Sequence, residues 1–143
     1  KFFNVYGPGE WHKGRLASMI YQMVQQVKTL GCVLLFGDGE HARDFISVHD
    51  VIEIILFFLN ENPASGIYNV GTGKAHTHNQ IAGHIFKALG VEPDIQYESL
   101  PESLIGVFQM FTQADISKLQ AAGFKPSFAP YHKAIQRVIK EME

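Results

Sequence analysis

The sequence has a single cysteine, no long apolar run and no strong excess of either charge. Its 143 residues carry twelve Lys and Arg against fourteen Asp and Glu, and no basic stripe alternates with aromatics, so nothing indicates a nucleic-acid-binding surface. Cys32 alone excludes an intramolecular disulfide and suits a reducing compartment. The most apolar stretch, residues 51–59, is too short to span a bilayer. We therefore expect a soluble cytoplasmic protein with neither nucleic acid nor membrane as a partner.

Several common catalytic and binding patterns are also missing. The seven histidines show no metal-ligand spacing, so we predict no metal site. No serine stands in the context of a nucleophile elbow. Gly71 and Gly73 follow an apolar run, but His76 stands where a dinucleotide fingerprint needs its third glycine. A turn that ends a strand is therefore favoured over a phosphate cradle at this position.

The residues that are present describe a mixed α/β domain. A content of 46% hydrophobic and 18% charged residues is typical of one globular domain. Capping-box matches begin at Thr77 and at Thr112. The pattern lacks the long βαβ succession of a complete doubly wound sheet, so we expect part of a larger structure. Strands are predicted at 2–6, 33–36, 43–48, 66–71 and 95–98, and helices at 16–30, 51–60, 77–89, 112–123 and 131–142.

The chain opens in the middle of an apolar strand. Apolar and aromatic residues surround Asn4, and Gly7-Pro8 ends the run. Open α/β sheets place ligand-binding groups at the carboxyl ends of their strands. We therefore expect residues 1–143 to be the C-terminal portion of a larger enzyme, cut just upstream of a strand that forms its site.

Two segments carry candidate functional side chains. His12 and Lys13 lie in a predicted loop beside Trp11, which could partly desolvate the lysine, so they form a candidate acid/base pair. Two solvated loop residues are the competing interpretation, slightly favoured by spacing alone. Arg43 follows a Gly-Asp-Gly turn and could clamp a diphosphate with its forked donors. An ion pair between Arg43 and Asp44 is about equally consistent with the sequence.

Three stretches together resemble a known enzyme family. Residues 3–8 (Phe-Asn-Val-Tyr-Gly-Pro) resemble the strand that follows the catalytic Tyr-x-x-x-Lys helix in extended short-chain dehydrogenases acting on nucleotide sugars. Residues 43–51 resemble the RDF-x-x-V-x-D-V stretch of that superfamily, and residues 67–73 resemble its YN-x-G-x-G turn. Within the superfamily, the chain is similar to the bacterial ADP-L-glycero-D-manno-heptose 6-epimerases in residues 12–14 with 17–18, in the short loop 36–39, and in the Phe-Thr-Gln-Ala-Asp of 111–115.

The resemblance implies a fold and an activity. It implies an α/β protein with a Rossmann part that binds NADP, absent from this chain, and a C-terminal part, residues 1–143, that binds the sugar nucleotide. The full-length protein would epimerise ADP-D-glycero-D-manno-heptose to the L form for lipopolysaccharide inner-core synthesis, as a homo-oligomer, a pentamer by resemblance. The alternatives are a nucleotide-sugar 4-epimerase or 4,6-dehydratase of the same superfamily, and a non-catalytic module that binds sugar nucleotides.

The resemblance also implies roles for individual residues. Lys13 would be the second acid/base residue, paired with the tyrosine of the Tyr-x-x-x-Lys motif, and Lys13 and Val5 would lie against the cofactor. Gln22 and Phe108 stand where histidine and tyrosine can occur, and the segment 37–43 is one residue short. The residues implied to contact the ADP-sugar substrate are Asn4, Arg15, Gln22, Phe36, Gly37, Asp38, Gly39, Arg43 and Phe108.

Overall fold

The computed structural model describes residues 1–102, 105–106 and 108–142, and these form a mixed α/β fold, as predicted. A 3-10 helix, Glu10–Leu16, follows the first strand. The strands are β1 Asn4–Tyr6, β2 Val33–Phe36, β3 Ala42–Arg43, β4 Phe45–Ser47, β5 His76–Thr77, β6 Ile95–Glu98 and β7 Phe111–Thr112. The helices are α1 Met19–Leu30, α2 Val48–Glu61, α3 His78–Leu89, α4 Ser117–Ala121 and α5 Tyr131–Glu141.

The strands pair mainly in parallel. β1 pairs with β4, with Asn4 opposite Phe45, and β2 pairs with β6. β3 lies between β5, which is antiparallel to it, and β7, which is parallel. Because β3 and β4 are separated only by Asp44, one short stretch joins the β1 sheet to the three-stranded sheet.

Two apolar clusters form the core on either side of β4. The larger cluster packs α1, α3 and α5 against β2, and Phe45 belongs to it. The smaller cluster gathers residues from α2, α4 and the segment around Tyr68, and it includes Ile46. Successive side chains of a strand point to opposite faces, so these neighbouring residues of β4 serve different clusters.

Local sequence signals explain where the main helices begin and end. Thr77 Oγ1 accepts a hydrogen bond from the Gln80 backbone N–H at 3.2 Å, and Gln80 Oε1 accepts one from the Thr77 backbone N–H at 3.1 Å, so the predicted capping box is confirmed. Gly90, in the left-handed conformation, ends α3. At the start of α1, Ser18 Oγ accepts from the Tyr21 N–H at 3.2 Å.

Two predicted elements differ from the structure. The segment 66–71 makes a single bridge, between Val70 and Phe2, instead of a strand. Gly71 leaves no room for a side chain there, because an added Cβ would lie 2.5 Å from the Cβ of Ala114. The second capping box is wrong: Thr112 lies in β7, paired with Arg43, so its backbone follows the sheet, and α4 begins only at Ser117.

One face of α2 remains exposed although it is apolar. Ile52, Ile55, Leu56 and Leu59 recur at three- and four-residue spacing, and Leu59 is 72% exposed. Exposed apolar patches of this kind are typical of surfaces that contact another protein or another part of the same protein. In the described ranges, no helix combines the length and the apolarity that crossing a bilayer requires.

Candidate functional site

A cavity of about 300 Å³ lies where β1, the start of α1 and the β3–β4 stretch meet. Four residues predicted from distant parts of the sequence line it: Asn4, Val5, Arg43 and Phe108. The parallel pairing of β1 with β4 produces this gathering, because it places Asn4 opposite Phe45 and therefore close to Arg43. The remaining lining residues are Ala17, Ser18, Met19, Phe45 and His78.

Arg43 is held in place by backbone carbonyl groups. Its Nη1 donates to the Ala42 carbonyl at 3.0 Å and its Nη2 donates to the Gln109 carbonyl. The guanidinium carbon lies 5.7 Å from the centre of the Phe108 ring, a cation–π arrangement. Burial lowers the pKa of Arg43 below its usual value, but a guanidinium stays charged in proteins. Arg43 thus brings a positioned positive charge, with further N–H donors, to a cavity that no carboxylate among the described residues lines.

Asp44 does not pair with Arg43, so the ion-pair interpretation is wrong. Its carboxylate is fully buried and accepts four hydrogen bonds from the protein itself. The donors are the Thr72 N–H at 2.9 Å and hydroxyl at 2.7 Å, the Gly73 N–H at 2.9 Å and the Ala114 N–H at 3.1 Å. The glycine turn at 71–73 therefore wraps an internal carboxylate, which agrees with its interpretation as a structural turn.

Two buried histidines lie at the cavity, and no sequence pattern pointed to them: His78 lines the cavity, and His41 packs against His78. The rings of His41 and His78 are 3.8 Å apart between centres, and the Phe108 ring is 4.9 Å from His41. Burial lowers the pKa of both imidazoles, and the pKa of His78, further depressed by His41 and Arg43, falls to about 3. Both rings are therefore neutral at pH 7. The Nδ1 of His78 has no hydrogen-bond partner among the described residues.

The predicted loop that carries Lys13 is the 3-10 helix. Gly9 precedes it with a φ of 78°, and Gly14 interrupts it with a φ of 51° and a ψ of −124°. Trp11 is 77% exposed and turns its ring edge toward His12, so Trp11 does not provide the predicted cover for the lysine. The side chain of Lys13 is 45% exposed, and its Nζ lies 3.4 Å from Oε2 of Glu10.

Glu10 is a site residue that the sequence did not reveal. It is 4% exposed, and its carboxylate accepts hydrogen bonds from Gly7, Ser18 and Lys13. Burial alone would raise the pKa of this carboxyl group. The hydrogen bonds from Ser18 and Gly7 and the charge of Lys13 outweigh burial, so the pKa of Glu10 is below its ordinary value and the group is ionised at neutral pH.

The other residues implied to contact substrate lie outside the cavity lining. Arg15 is exposed, and the Nε2 of Gln22 donates to the Ala17 carbonyl at 2.8 Å and to the Arg15 carbonyl at 3.4 Å. The turn formed by Phe36, Gly37, Asp38 and Gly39 is held from α3, where Asn79 Nδ2 donates to the Asp38 carbonyl at 2.9 Å. Four predicted residues, Asn4, Val5, Arg43 and Phe108, therefore line the cavity together. The other six residues implied to contact substrate, Arg15, Gln22 and residues 36–39, do not line it.

Comparisons with known proteins agree on the type of protein. Residues 1–71 match the profile of the NAD dependent epimerase/dehydratase family. An ADP-L-glycero-D-manno-heptose-6-epimerase of Nitratidesulfovibrio vulgaris (strain DP4) is 38% identical over 148 residues, covering 99% of this chain and 46% of that protein. The crystal structure of the Helicobacter pylori ADP-L-glycero-D-manno-heptose-6-epimerase superposes with a TM-score of 0.78 at 30% identity, covering 99% of this chain and 41% of that one.

A second solved epimerase is similar in structure as well. The UDP-N-acetylglucosamine 4-epimerase of Methanobrevibacter ruminantium M1, solved with UDP-N-acetylmuramic acid, gives a TM-score of 0.85 at 26% identity. This match covers 99% of the chain and 44% of that protein. The chain thus spans less than half the length of each of these relatives.

Proposed function

We propose that the chain belongs to the NAD dependent epimerase/dehydratase family and that the protein containing it is a nucleotide-sugar epimerase. Its reaction would convert ADP-D-glycero-D-manno-heptose to the L epimer. The observation that carries the proposal is the 38% identity, over 99% of the chain, to the Nitratidesulfovibrio vulgaris enzyme. Since the chain spans 46% of that relative, the activity is proposed for the whole protein. Residues 1–143 would be its substrate-binding portion.

The diphosphate of the substrate would bind beside Arg43. The guanidinium is fixed by the Ala42 and Gln109 carbonyls, so it loses little conformational freedom on binding an anion. Asn4 Nδ2 donates to the Asp44 carbonyl at 2.9 Å, which leaves its side-chain oxygen to accept a hydrogen bond from the ligand. Phe108, packed beside the guanidinium, would contact an apolar face of the nucleotide sugar.

The residues of the chain fit a nicotinamide cofactor next to this cavity. We propose that this cofactor is NADP and that a part of the protein outside residues 1–143 holds most of it. When bound, it would accept a hydride from the sugar carbon and return it to the opposite face. Val5 offers an apolar wall there. Lys13 lies on the segment that Glu10 connects to Ser18, another lining residue.

Lys13 would handle a proton at the sugar oxygen. Inversion through a ketone presents that oxygen in two orientations, so two proton-handling groups are useful, Lys13 and a tyrosine outside this chain. Lys13 is half-exposed, and its ammonium group lies at the end of a long side chain, so it would reach a substrate oxygen from its segment. A positioned proton donor or acceptor of this kind contributes on the order of 10²–10⁴ in rate.

The test is Lys13→Met in the full-length protein. Turnover of the ADP-heptose should fall by on the order of 10²–10⁴ while the affinity for NADP stays nearly unchanged, because methionine keeps the volume and removes the transferable proton. The matched control is Lys28→Met, which removes another exposed lysine near the end of α1. Turnover close to that of the wild type in the Lys13 variant would reject the assignment.

A second candidate is a 4-epimerase that acts on a UDP-sugar. The TM-score of 0.85 to the Methanobrevibacter ruminantium enzyme favours it. The ratio of kcat/KM for the ADP-heptose to that for UDP-N-acetylglucosamine decides between the two candidates. Binding of an ADP-sugar without turnover of any nucleotide sugar would instead indicate a non-catalytic binding module.

A further inference from the structure

The segment that carries Lys13 has almost no packing of its own. Among the residues of the 3-10 helix, Glu10 is the buried one, whereas residues 11–16 are exposed. Gly9 and Gly14 both have positive φ, so the segment departs from regular backbone at its start and in its interior. Apolar contacts therefore contribute little to the position of Lys13, and the contact that holds its ammonium group is the polar one with Glu10.

The Glu10 carboxylate joins three parts of the structure. Its Oε1 accepts from the Gly7 N–H at 3.2 Å and from the Ser18 hydroxyl at 2.7 Å. Its Oε2 accepts from the Ser18 N–H at 2.7 Å and contacts Lys13 Nζ at 3.4 Å. Gly7 follows β1, and Ser18 caps α1 through the Tyr21 N–H. Both carboxylate oxygens thus accept hydrogen bonds from residues next to β1 or α1, and Oε2 also contacts the ammonium group of Lys13.

The negative charge of the Glu10 carboxylate favours a positively charged partner such as the Lys13 ammonium group. A buried carboxylate loses its hydration and is stable only where hydrogen bonds and an opposite charge replace the water. Ser18 and Gly7 supply the hydrogen bonds, and Lys13 is the positively charged side chain that contacts it. The other basic side chains of the segment, His12 and Arg15, are exposed and make no ion pair with Glu10 in the described part of the chain.

We propose that Glu10 is a positioning residue for Lys13, holding its ammonium group at a fixed place relative to Ser18 and the cavity that Ser18 lines. The inference rests on the proposed function, because it assumes that Lys13 handles a substrate proton. Glu10 itself makes no contact with the reacting atoms in this account. Its effect on the reaction passes through the position of the lysine.

The test is Glu10→Gln in the full-length protein, measured as pH profiles of kcat and kcat/KM. Glutamine keeps the size and one acceptor oxygen but removes the charge beside Lys13. We expect kcat to fall roughly ten- to a hundredfold, with KM for substrate within about threefold, because a misplaced acid/base group loses rate rather than ground-state binding. The pH profile of kcat should also change in Glu10→Gln, because the variant lacks the ionised carboxylate that contacts Lys13 Nζ.

Three results overturn the inference. If Glu10→Gln keeps the wild-type kcat and pH profile while Lys13→Met loses turnover, Lys13 needs no positioning by Glu10 and the proposed function survives alone. If kcat falls but the pH profile of kcat keeps its wild-type shape, Glu10 is merely structural. If Lys13→Met keeps full turnover, the proposed role of Lys13 fails, and the inference fails with it.

A second variant covers the case in which glutamine prevents folding. Glu10→Asp keeps the charge and withdraws it by one methylene. We therefore expect kcat to fall while the pH profile of kcat stays close to that of the wild type. Wild-type kcat in a folded Glu10→Asp protein would contradict the positioning role. Thermal unfolding of each variant separates loss of the fold from loss of the rate.

Discussion

Arg43 and Asp44 are adjacent in the chain but serve different parts of the molecule. Extended backbone directs successive side chains to opposite sides, so Arg43 faces the cavity and Asp44 faces the interior. The buried carboxylate connects β4 to Thr72 and Gly73 on one segment and to Ala114 on another. Its hydrogen bonds therefore hold together segments that are 28 to 70 residues apart.

We predict that Asp44→Asn destabilises the protein by about 3 kcal/mol or more, because one acceptor oxygen becomes an NH₂ that faces backbone N–H donors in a buried site. The free energy of unfolding from urea titration measures the effect. Asp94→Asn is the matched control, since Asp94 is exposed and its change should stay within about 0.5 kcal/mol. Equal stability of the two variants would show that the Asp44 network contributes nothing.

The site residues that no sequence pattern indicated are all placed by contacts that form only in the folded protein. Glu10 finds its partners at Gly7 and Ser18, around a segment whose path depends on two glycines of positive φ. His41 and His78 meet only because β3 pairs with β5. Such contacts depend on tertiary structure and leave no periodic or local pattern. The resemblance alone predicted that Val5 and Phe108 lie at the site. For Asn4 and Arg43, the strand end and the Gly-Asp-Gly turn had already pointed to a ligand-binding role.

At the scale of elements, local signals succeeded where no other part of the chain competed for the same backbone. Thr77 and Gln80 cap α3 as predicted, and Gly90 ends it. The helix start predicted from the similar pattern at Thr112 is wrong because the backbone of Thr112 pairs with β3. The Ala114 N–H donates to the Asp44 carboxylate. Pairing between distant strands thus overrode a local preference, which is the usual limit of reading helices from sequence.

We predict that His78, the first residue of α3, makes stability fall in acid. Its pKa is near 6.5 in the unfolded chain and about 3 in the folded protein, so the unfolded state binds more protons between these values. The contribution is fully present above about pH 6.5 and is lost as the pH falls toward 3. From pH 7 to pH 5 this histidine alone should lower the free energy of unfolding by about 2 kcal/mol.

Urea titrations at both pH values test this in His78→Phe, which keeps an aromatic ring and removes the titrating group. The difference between pH 7 and pH 5 should shrink by about 2 kcal/mol. It should not vanish, because burial also lowers the pKa of His41. The control is His132→Phe, at an exposed position on α5. An unchanged pH dependence in His78→Phe would mean that its imidazole is not held neutral.

At the scale of the whole molecule, the core is divided and part of the surface is apolar. Two clusters lie on either side of β4, and the sheets among the described residues have two or three short strands each. The apolar face of α2, from Ile52 to Leu59, is exposed. The sequence predicted the α/β class and the incomplete sheet pattern from its element order. It could not predict which apolar residues would remain uncovered, because that depends on how the helices pack.

We predict that the isolated 143-residue chain is marginal as a folded monomer and catalytically silent. The exposed face of α2 and the open edges of its small sheets favour association. Light scattering and calorimetry on the purified chain measure this. A variant with Ile55 and Leu59 both replaced by lysine should associate less than the wild type. A clean monomer with a sharp, reversible transition and measurable NADP binding would contradict the prediction.

The four consecutive residues 43–46 each face a different environment: the cavity, the buried hydrogen-bond network, the larger cluster and the smaller cluster. Successive side chains of a strand point to opposite faces. Deleting or inserting one residue here would therefore shift the pairing register by one and move each of these side chains to the opposite face. The guanidinium would turn away from the cavity, and a carboxylate would turn toward it. Variation in chain length can therefore be absorbed by the exposed turn at 37–38, but not by the residues that follow Ala42.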